Sequence, residues 1–312
     1  MSDQRLYDVI IVGGSYAGLS AALALGRSHR RTLIIDSGNA CNTQTPHSHN
    51  FLTQDGNTPS GISALAKSQV MQYPAVEWVS DEALSARKEH DQFVVTTKKG
   101  DTFFASKLLL ATGLKDLFPP IPGLKECWGI SVLHCPYCHG YEVSGQKLGV
   151  MANGEMAIHF VKLITNLSKE VVLLTNGPSS LPEEALRLLK HYKVTLIQEP
   201  ITGIIHCDGQ IQSVNFAGRE SLPLNALFTR VPLAQQGELT KELACQLTDA
   251  GLIATDEMAR TNIHGLYAAG DCCVPQRSIS LAVASGTRAG TAMNMELFDE
   301  AMPVSDAVLS KP

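Results

Sequence analysis

The chain has no excess of positive charge: 25 Lys and Arg stand against 30 Asp and Glu, a formal net charge of -5. No basic cluster is interleaved with aromatics, and Arg27 to Arg31 reads as a solvated helix end, so nucleic acid is not an expected partner. A long unbroken apolar run is also missing. Val9 to Leu25 comes nearest, but Gly13, Gly14 and Gly18 interrupt it and Asp3 and Asp8 lead it in place of positive charge. It reads as strand, turn and helix, with neither a targeting nor a membrane segment expected. Nor is there a disulfide framework. Eight cysteines in 312 residues, with Cys41, Cys127, Cys207 and Cys245 irregularly spaced, suit separate thiols in a reducing cytoplasm. With 44% hydrophobic and 18% charged residues, the chain is of ordinary globular composition and long enough for two domains.

What stands out is His134-Cys135-Pro136-Tyr137-Cys138-His139-Gly140. Two thiols at this spacing can close a small disulfide ring, and a local turn can depress one thiol toward a pKa of ~7. Two other readings stay open on the motif alone. Cys135, Cys138 and a histidine make half a zinc site, although no second C-x-x-C supplies the other half. The other is an inert pair, since free cysteines are often buried, but redox chemistry is the favoured reading of the motif.

Asp8 to Ala22 reads as a buried strand, a glycine turn and a helix, with Arg31 to Asp36 as the next strand: a β-α-β unit. Gly13 permits the sharp turn, Gly18 lets helix and strand approach, the helix N-terminus faces a pyrophosphate, and Asp36 reaches a ribose hydroxyl. Ser15 replaces the middle glycine of the usual G-x-G-x-x-G. A degenerate second unit begins at Lys147 to Ala157, with a helix to about Leu167 and a strand at Val171 to Leu174. Between the units, strand-like segments from Asp91 to Leu110 end in Ala111-Thr112-Gly113, and Pro119, Pro120 and Pro122 form a linker. A return crossing is expected at Phe228 to Pro232. Near the C-terminus a small-residue strand ends at Gly270-Asp271, before a helix over 278 to 297. Asp271 is placed either to accept from a ligand polyol or to cap later structure.

The glycine turn with Asp36, Ala111-Thr112-Gly113, Cys135-Pro136-Tyr137-Cys138 and Ala268-Ala269-Gly270-Asp271 occur in one order. In that order they resemble the low-molecular-weight thioredoxin reductase family of flavoproteins across essentially the whole chain. The resemblance implies an α/β fold of two Rossmann-like three-layer domains, the second inserted into the first. Residues 1–118 and 228–312 would form the FAD-binding domain, and 119–227 a degenerate NAD(P)-binding-like domain carrying a redox disulfide beside the flavin. It also implies a homodimer. FAD contacts are expected from Gly13, Gly14, Ser15, Tyr16, Ala17 and Gly18, from Asp36 and Ser37, and from Ala111, Thr112 and Gly113. Gly270, Asp271, Ser280 and Leu281 complete that set, with Ile279-Ser280-Leu281 replacing the family's Arg-Gln-Ala. His49 and Asn50, in the loop with His47, are expected to contact flavin or substrate. Cys272-Cys273 are expected as buried thiols in preference to a vicinal disulfide. Metal is not expected.

Two departures shape the expected mechanism. Where the family pairs NADPH with a glycine-rich turn and a basic run, this chain has Ala152 to Ala157, with Glu155, and Thr175-Asn176-Gly177-Pro178-Ser179-Ser180. A 2'-phosphate meets no cation there, so NADPH binding is doubtful unless Lys169 or Arg187 reaches in. His139, followed by Tyr141 and Glu142, stands where the family places Asp, and is similar to the dithiol oxidases of epidithiodiketopiperazine and dithiolopyrrolone biosynthesis. An imidazole there suits acid/base work on thiols. The expectation is an FAD-dependent thiol/disulfide oxidoreductase. Cys135 would exchange with a small dithiol, Cys138 would be the flavin-proximal sulfur, and oxygen or another electron carrier would be the acceptor. The alternatives are a reductase of thioredoxin or small disulfides fed by NADPH, ferredoxin or a second flavin, and a non-catalytic redox-sensing flavoprotein.

Overall fold

A computed structural model describes residues 6–302; Asp3 and the outer ends of the expected first domain, 1–5 and 303–312, lie outside the described residues. The chain opens with β1 (Leu6–Val12), α1 (Tyr16–Arg27), β2 (Thr32–Asp36), α2 (Pro59–Val70) and β3 (Val76–Ser80). Next come β4 (Ala83–Glu89), β5 (Gln92–Thr97), β6 (Thr102–Leu110), β7 (Leu114–Asp116), α3 (Leu124–Cys127), β8 (Val132–Leu133) and α4 (Pro136–His139). Then follow β9 (Leu148–Met151), α5 (Glu155–Leu167), β10 (Val171–Leu174), α6 (Glu183–Tyr192) and β11 (Thr195–Ile197). The antiparallel strands are β12 (Ile201–Cys207), β13 (Gln210–Phe216) and β14 (Arg219–Pro223). The chain closes with β15 (Ala226–Thr229), β16 (Leu233–Gln235), α7 (Leu239–Glu242), β17 (Leu266–Ala268) and α8 (Ile279–Ala301).

Two compact Rossmann-like units emerge. Within the described residues the first comprises 6–41, 60–115 and 233–302, and the second 42–59 and 116–232. The first holds the sheet β3-β2-β1-β6-β5-β4. Its strands β1 and β2 are buried on both faces, and they read as continuous runs of Ile, Leu and Val for that reason. β6 is shared: Thr102 to Ala105 pair with β5, while Leu108 to Leu110 pair with β17. α1 and α8 pack almost backbone to backbone, since a Cβ on Gly286 would sit 2.1 Å from the Ala17 carbonyl oxygen. At the far end of α8, the buried Lys107 ammonium donates to Glu296 and Glu300, and Tyr267 Oη donates to Glu296 at 2.6 Å.

The second unit holds a parallel sheet β11-β10-β9-β15-β8 and the antiparallel β12-β13-β14. Ala157, Phe160, Val161 and Ile164 of α5 recur at helical spacing and face a core with Val150, Leu173 and Phe228. Its limits differ from the expected 119–227. β15 pairs with both β9 and β8, so the chain returns to the first unit only after Pro232. The segment 42–59, expected with the first domain, belongs to the second unit: Thr45 lies against Gly129, and His49 is ion-paired with Glu142. No helix among the described residues is long and apolar enough to cross a membrane.

Candidate active site

β8 is buried and delivers the chain straight into the single turn of α4, with Cys135 as its extended N-cap and Pro136 at the first helical position. Gly140 has to follow, because a Cβ there would stand 2.3 Å from the Pro136 carbonyl oxygen and 2.5 Å from Leu167. This turn makes the two thiols unequal. The Cys138 thiol donates to the Cys135 sulfur, which also accepts from the Tyr137 and Cys138 amides and feels Arg230. Against the cost of burial, these bring Cys135 down to about 7. The same bond and burial push Cys138 well above the ordinary thiol range. One sulfur is therefore ionised near neutral pH while the other keeps its proton.

Burial lowers the pKa of His139, Glu142 opposes that shift, and His49 adds to it. His49 places Nε2 3.3 Å from Glu142 Oε1 and Nδ1 3.7 Å from Asp55 Oδ2. Asp55 accepts at 2.7 Å from the amide of Asn50, which has a left-handed φ of 61°. Sequence reading assigned His49 and Asn50 to flavin or substrate; the structure puts them in the second unit, in a loop reaching the Cys-x-x-Cys-His turn. His134 stacks on Trp128 at 5.7 Å between centroids and serves packing. Tyr137 and Tyr141, 71% and 88% exposed, present their rings to solvent beside the thiols.

The first unit's turn is built as its glycines require. Gly13 has φ 104°, with the Ala111 carbonyl oxygen 2.2 Å from where a Cβ would be, and a Cβ on Gly18 would lie 1.9 Å from the Gly13 carbonyl oxygen. Ser15 caps α1 by position, and Tyr16 and Ala17 begin that helix. Asp36 accepts from the Gly14 amide at 2.8 Å. Asp36 and Ser37 also line a cleft of ≈ 440 Å³ with Lys67 and Trp78. Sequence reading missed Lys67 and Trp78, although a tryptophan on the strand beside the acid was a signal. Thr112 Oγ1 is buried without a hydrogen-bond partner, next to Gly113 with its φ of 68°. Gly270 donates to Ser285 Oγ, and Asp271 accepts from Arg277 Nε at 3.1 Å. The cap of α8 is Ser278, not Asp271, and Ser280 and Leu281 stand in the first turn of that helix. Cys272 and Cys273 are free thiols donating to backbone carbonyls.

The second unit's dinucleotide turn is closed on itself. Asn153 Oδ1 accepts from the Gly154 amide at 3.0 Å and from the Ser180 amide at 2.9 Å, while its Nδ2 donates to the Pro178 carbonyl. The Ser179 amide is taken by Gln198. Glu155 opens α5, and Arg187, on α6, lies 3.8 Å from Glu183. The Gly154, Ser179 and Ser180 amides are thus already bonded within the protein.

Two Rossmann-like units, the second carrying a Cys-x-x-Cys dithiol, are the arrangement of a flavoprotein disulfide oxidoreductase. The pyridine nucleotide-disulphide oxidoreductase family profile matches residues 7–289. Thioredoxin reductase tcpT of Claviceps purpurea is 31% identical over 95% of this chain and 96% of its own. Thioredoxin reductase aclD of Aspergillus oryzae is 32% identical over 95% and 98%. An oxidoreductase from Agrobacterium tumefaciens is 37% identical with a TM-score of 0.89, covering 95% of this chain and 99% of that one. The chain belongs to the pyridine nucleotide-disulphide oxidoreductase family, within its low-molecular-weight thioredoxin reductase-like branch. It is an FAD-dependent disulfide oxidoreductase. The first unit fits that cofactor: the unpartnered Thr112 hydroxyl and the cleft at Asp36 offer polar atoms where a dinucleotide would lie.

Proposed function

We propose that this enzyme oxidises a small dithiol to its disulfide through Cys135 and Cys138, without NADPH, and passes the electrons to oxygen. The observation that carries the reading is the second dinucleotide turn, where Asn153 takes the Gly154 and Ser180 amides and Gln198 takes that of Ser179. Around it stands no basic run, and Glu155 opposes an anion.

Starting from the Cys135-Cys138 disulfide, a substrate thiolate attacks the Cys135 sulfur, the S-S bond breaks, and Cys138 leaves and takes a proton. The second substrate thiol then displaces Cys135, releasing the substrate disulfide and leaving the protein dithiol. Cys135 suits the exchanging role because its thiolate is stabilised by the turn amides and the Cys138 thiol. His139 is the acid/base: mostly neutral at neutral pH, it accepts a thiol proton and returns it. FAD, when bound, supplies the two-electron acceptor for the dithiol. Gly13, Gly14, Ser15, Tyr16, Ala17, Gly18, Asp36, Ser37, Ala111, Thr112, Gly113, Gly270, Asp271, Ser280 and Leu281 would hold it. The exposed Tyr137 and Tyr141 favour a substrate with an apolar face.

A second reading rests on the relatives named thioredoxin reductase: reduction of a thioredoxin-like protein with electrons from NADPH. One titration separates the two. The purified yellow protein is mixed anaerobically with NADPH or with dithiothreitol while the flavin absorbance near ~450 nm is followed. Bleaching by the dithiol alone, reversed by oxygen with peroxide formed, is the expected result. Rapid bleaching by NADPH would overturn it and select the reductase. Light scattering on the same sample checks the expected homodimer.

A further inference from the structure

Arg230 follows directly on β15, and the pairing of β15 with β8 aligns it with the dithiol. Leu227 and Phe228 stand opposite Val132 and Leu133, so two residues further along both chains Arg230 comes level with Cys135. Cys135 keeps extended backbone angles, φ -125° and ψ 108°, ahead of the α4 turn, and alternate residues of an extended chain share a face. Leu133 and Phe228 point into the core that Phe160 of α5 fills, which puts Cys135 and Arg230 on that same side. His134, between Leu133 and Cys135, turns the other way onto Trp128, which belongs to the second core of this unit. The guanidinium lies where this register sends it, with its central carbon 5.8 Å from the centroid of the buried Phe160 ring.

Nothing in the protein uses up this cation. Arg230 is exposed, and among the described residues it has neither a carboxylate partner nor a side-chain hydrogen bond. Glu142, the acid that ends the Cys-x-x-Cys-His-Gly-Tyr-Glu run, is taken by His49 at 3.3 Å. The charge of Arg230 is felt at the Cys135 sulfur. A guanidinium is a planar fork that accepts a carboxylate through two parallel hydrogen bonds. Phe160 steadies the side chain from one side, and the fork itself stays unspent beside the sulfur that exchanges with substrate.

We propose that Arg230 receives a carboxylate of the substrate, so that the dithiol this enzyme oxidises is an anionic one, held by its acid group while its thiolate attacks Cys135. The inference rests on the dithiol-oxidising reading of the site and narrows it. The exposed rings of Tyr137 and Tyr141 meet the apolar part of such a molecule, and Arg230 meets its charge.

Dihydrolipoate and dihydrolipoamide test this, because they carry the same dithiol on the same chain and differ in the charge at its far end. Each is mixed anaerobically with the holoenzyme in stopped flow, and the second-order rate constant of flavin bleaching is measured. The parent is expected to prefer dihydrolipoate about 5-fold, as an exposed ion pair allows, and high salt is expected to erode that preference. Arg230→Gln abolishes it and Arg230→Lys keeps part of it. Any effect of Arg230 on Cys135 itself slows both dithiols alike, so the ratio isolates the carboxylate. Equal rates in the parent, or the parent's ratio in Arg230→Gln, overturn the proposal. A second arm needs no turnover: the reduced protein is alkylated with iodoacetate or iodoacetamide, and the Cys135 peptide is quantified by mass spectrometry. The Cys135 thiolate displaces iodide from either reagent, but iodoacetate alone brings a carboxylate. Arg230→Gln is expected to lower the iodoacetate-to-iodoacetamide rate ratio about 5-fold, and an unchanged ratio overturns the anion site. If neither lipoyl dithiol nor dithiothreitol bleaches the parent flavin, the dithiol-oxidising reading fails instead, and the alkylation ratio decides whether Arg230 receives an anion.

Discussion

Cys135 and Cys138 carry the same side chain and differ only in their places on one turn of helix. Cys135 sits ahead of the turn, where the Cys138 thiol and the Cys138 and Tyr137 amides point at its sulfur, and its pKa falls to about 7. In the reduced protein, alkylation of Cys135 by iodoacetamide is therefore expected to rise with a midpoint near that value, read by peptide mass spectrometry. Cys138→Ser exchanges a thiol donor for a shorter hydroxyl and moves the midpoint up toward the ordinary ~8.5 of a thiol. An unmoved midpoint would show that the amides alone set it. The pair and His139 were legible in the sequence because their spacing is local. His49 meeting Glu142 was not, since that contact joins a loop to a turn far along the chain and no period or motif announces it. The loss of a basic run was visible as composition, whereas the clasp by Asn153 needed coordinates to be seen.

At the scale of elements, the small residues of α1 and α8 decide how closely two helices approach. Ala17 and Ala21 of α1 meet Gly286 and Gly290 of α8, and a Cβ on Gly286 would lie 2.1 Å from a backbone oxygen that has nowhere to go. Gly286→Val is expected to cost roughly 3 kcal/mol in urea unfolding. It should also lower the flavin content of purified protein, because the same shift moves the turn from Gly13 to Gly18 that α1 follows. Full flavin occupancy with unchanged stability would show that the helices can part freely. The β-α-β unit was readable from its glycines and apolar strands. Ser278 as the cap of α8 was not: Asp271 and Ser278 are both good caps by type, and only the backbone distinguishes them.

Over the whole chain, the first unit is assembled from three separated stretches, and its last helix is tied back to the sheet by charge. The outline of one domain inserted in another was legible from the order of motifs. Its limits shifted because β15 is a buried strand of three apolar residues and Thr229 that reads the same as a return crossing or a central strand. The tie itself was invisible in sequence, since Lys107 lies in β6 and its carboxylate partners near the end of α8. Burial pushes the Glu296 carboxyl up, but Lys107, Tyr267 and the charge of His264 outweigh it and hold the pKa at about 2. A carboxyl depressed in the folded state from an unfolded value of ~4.3 contributes stability above that value. The contribution is lost as pH falls from there toward 2, and it is on the order of 3 kcal/mol. Lys107→Met leaves Glu296 buried without its strongest partner and is expected to destabilise the protein at pH 7 by about 3 kcal/mol or more. It should also flatten the loss of stability between pH 5 and 3, because Glu296 then gives up less on protonation. Urea unfolding of both proteins at pH 7, 5 and 3 measures both effects. Parallel losses in parent and variant would mean that other carboxylates, and not this tie, govern the acid sensitivity of the unit.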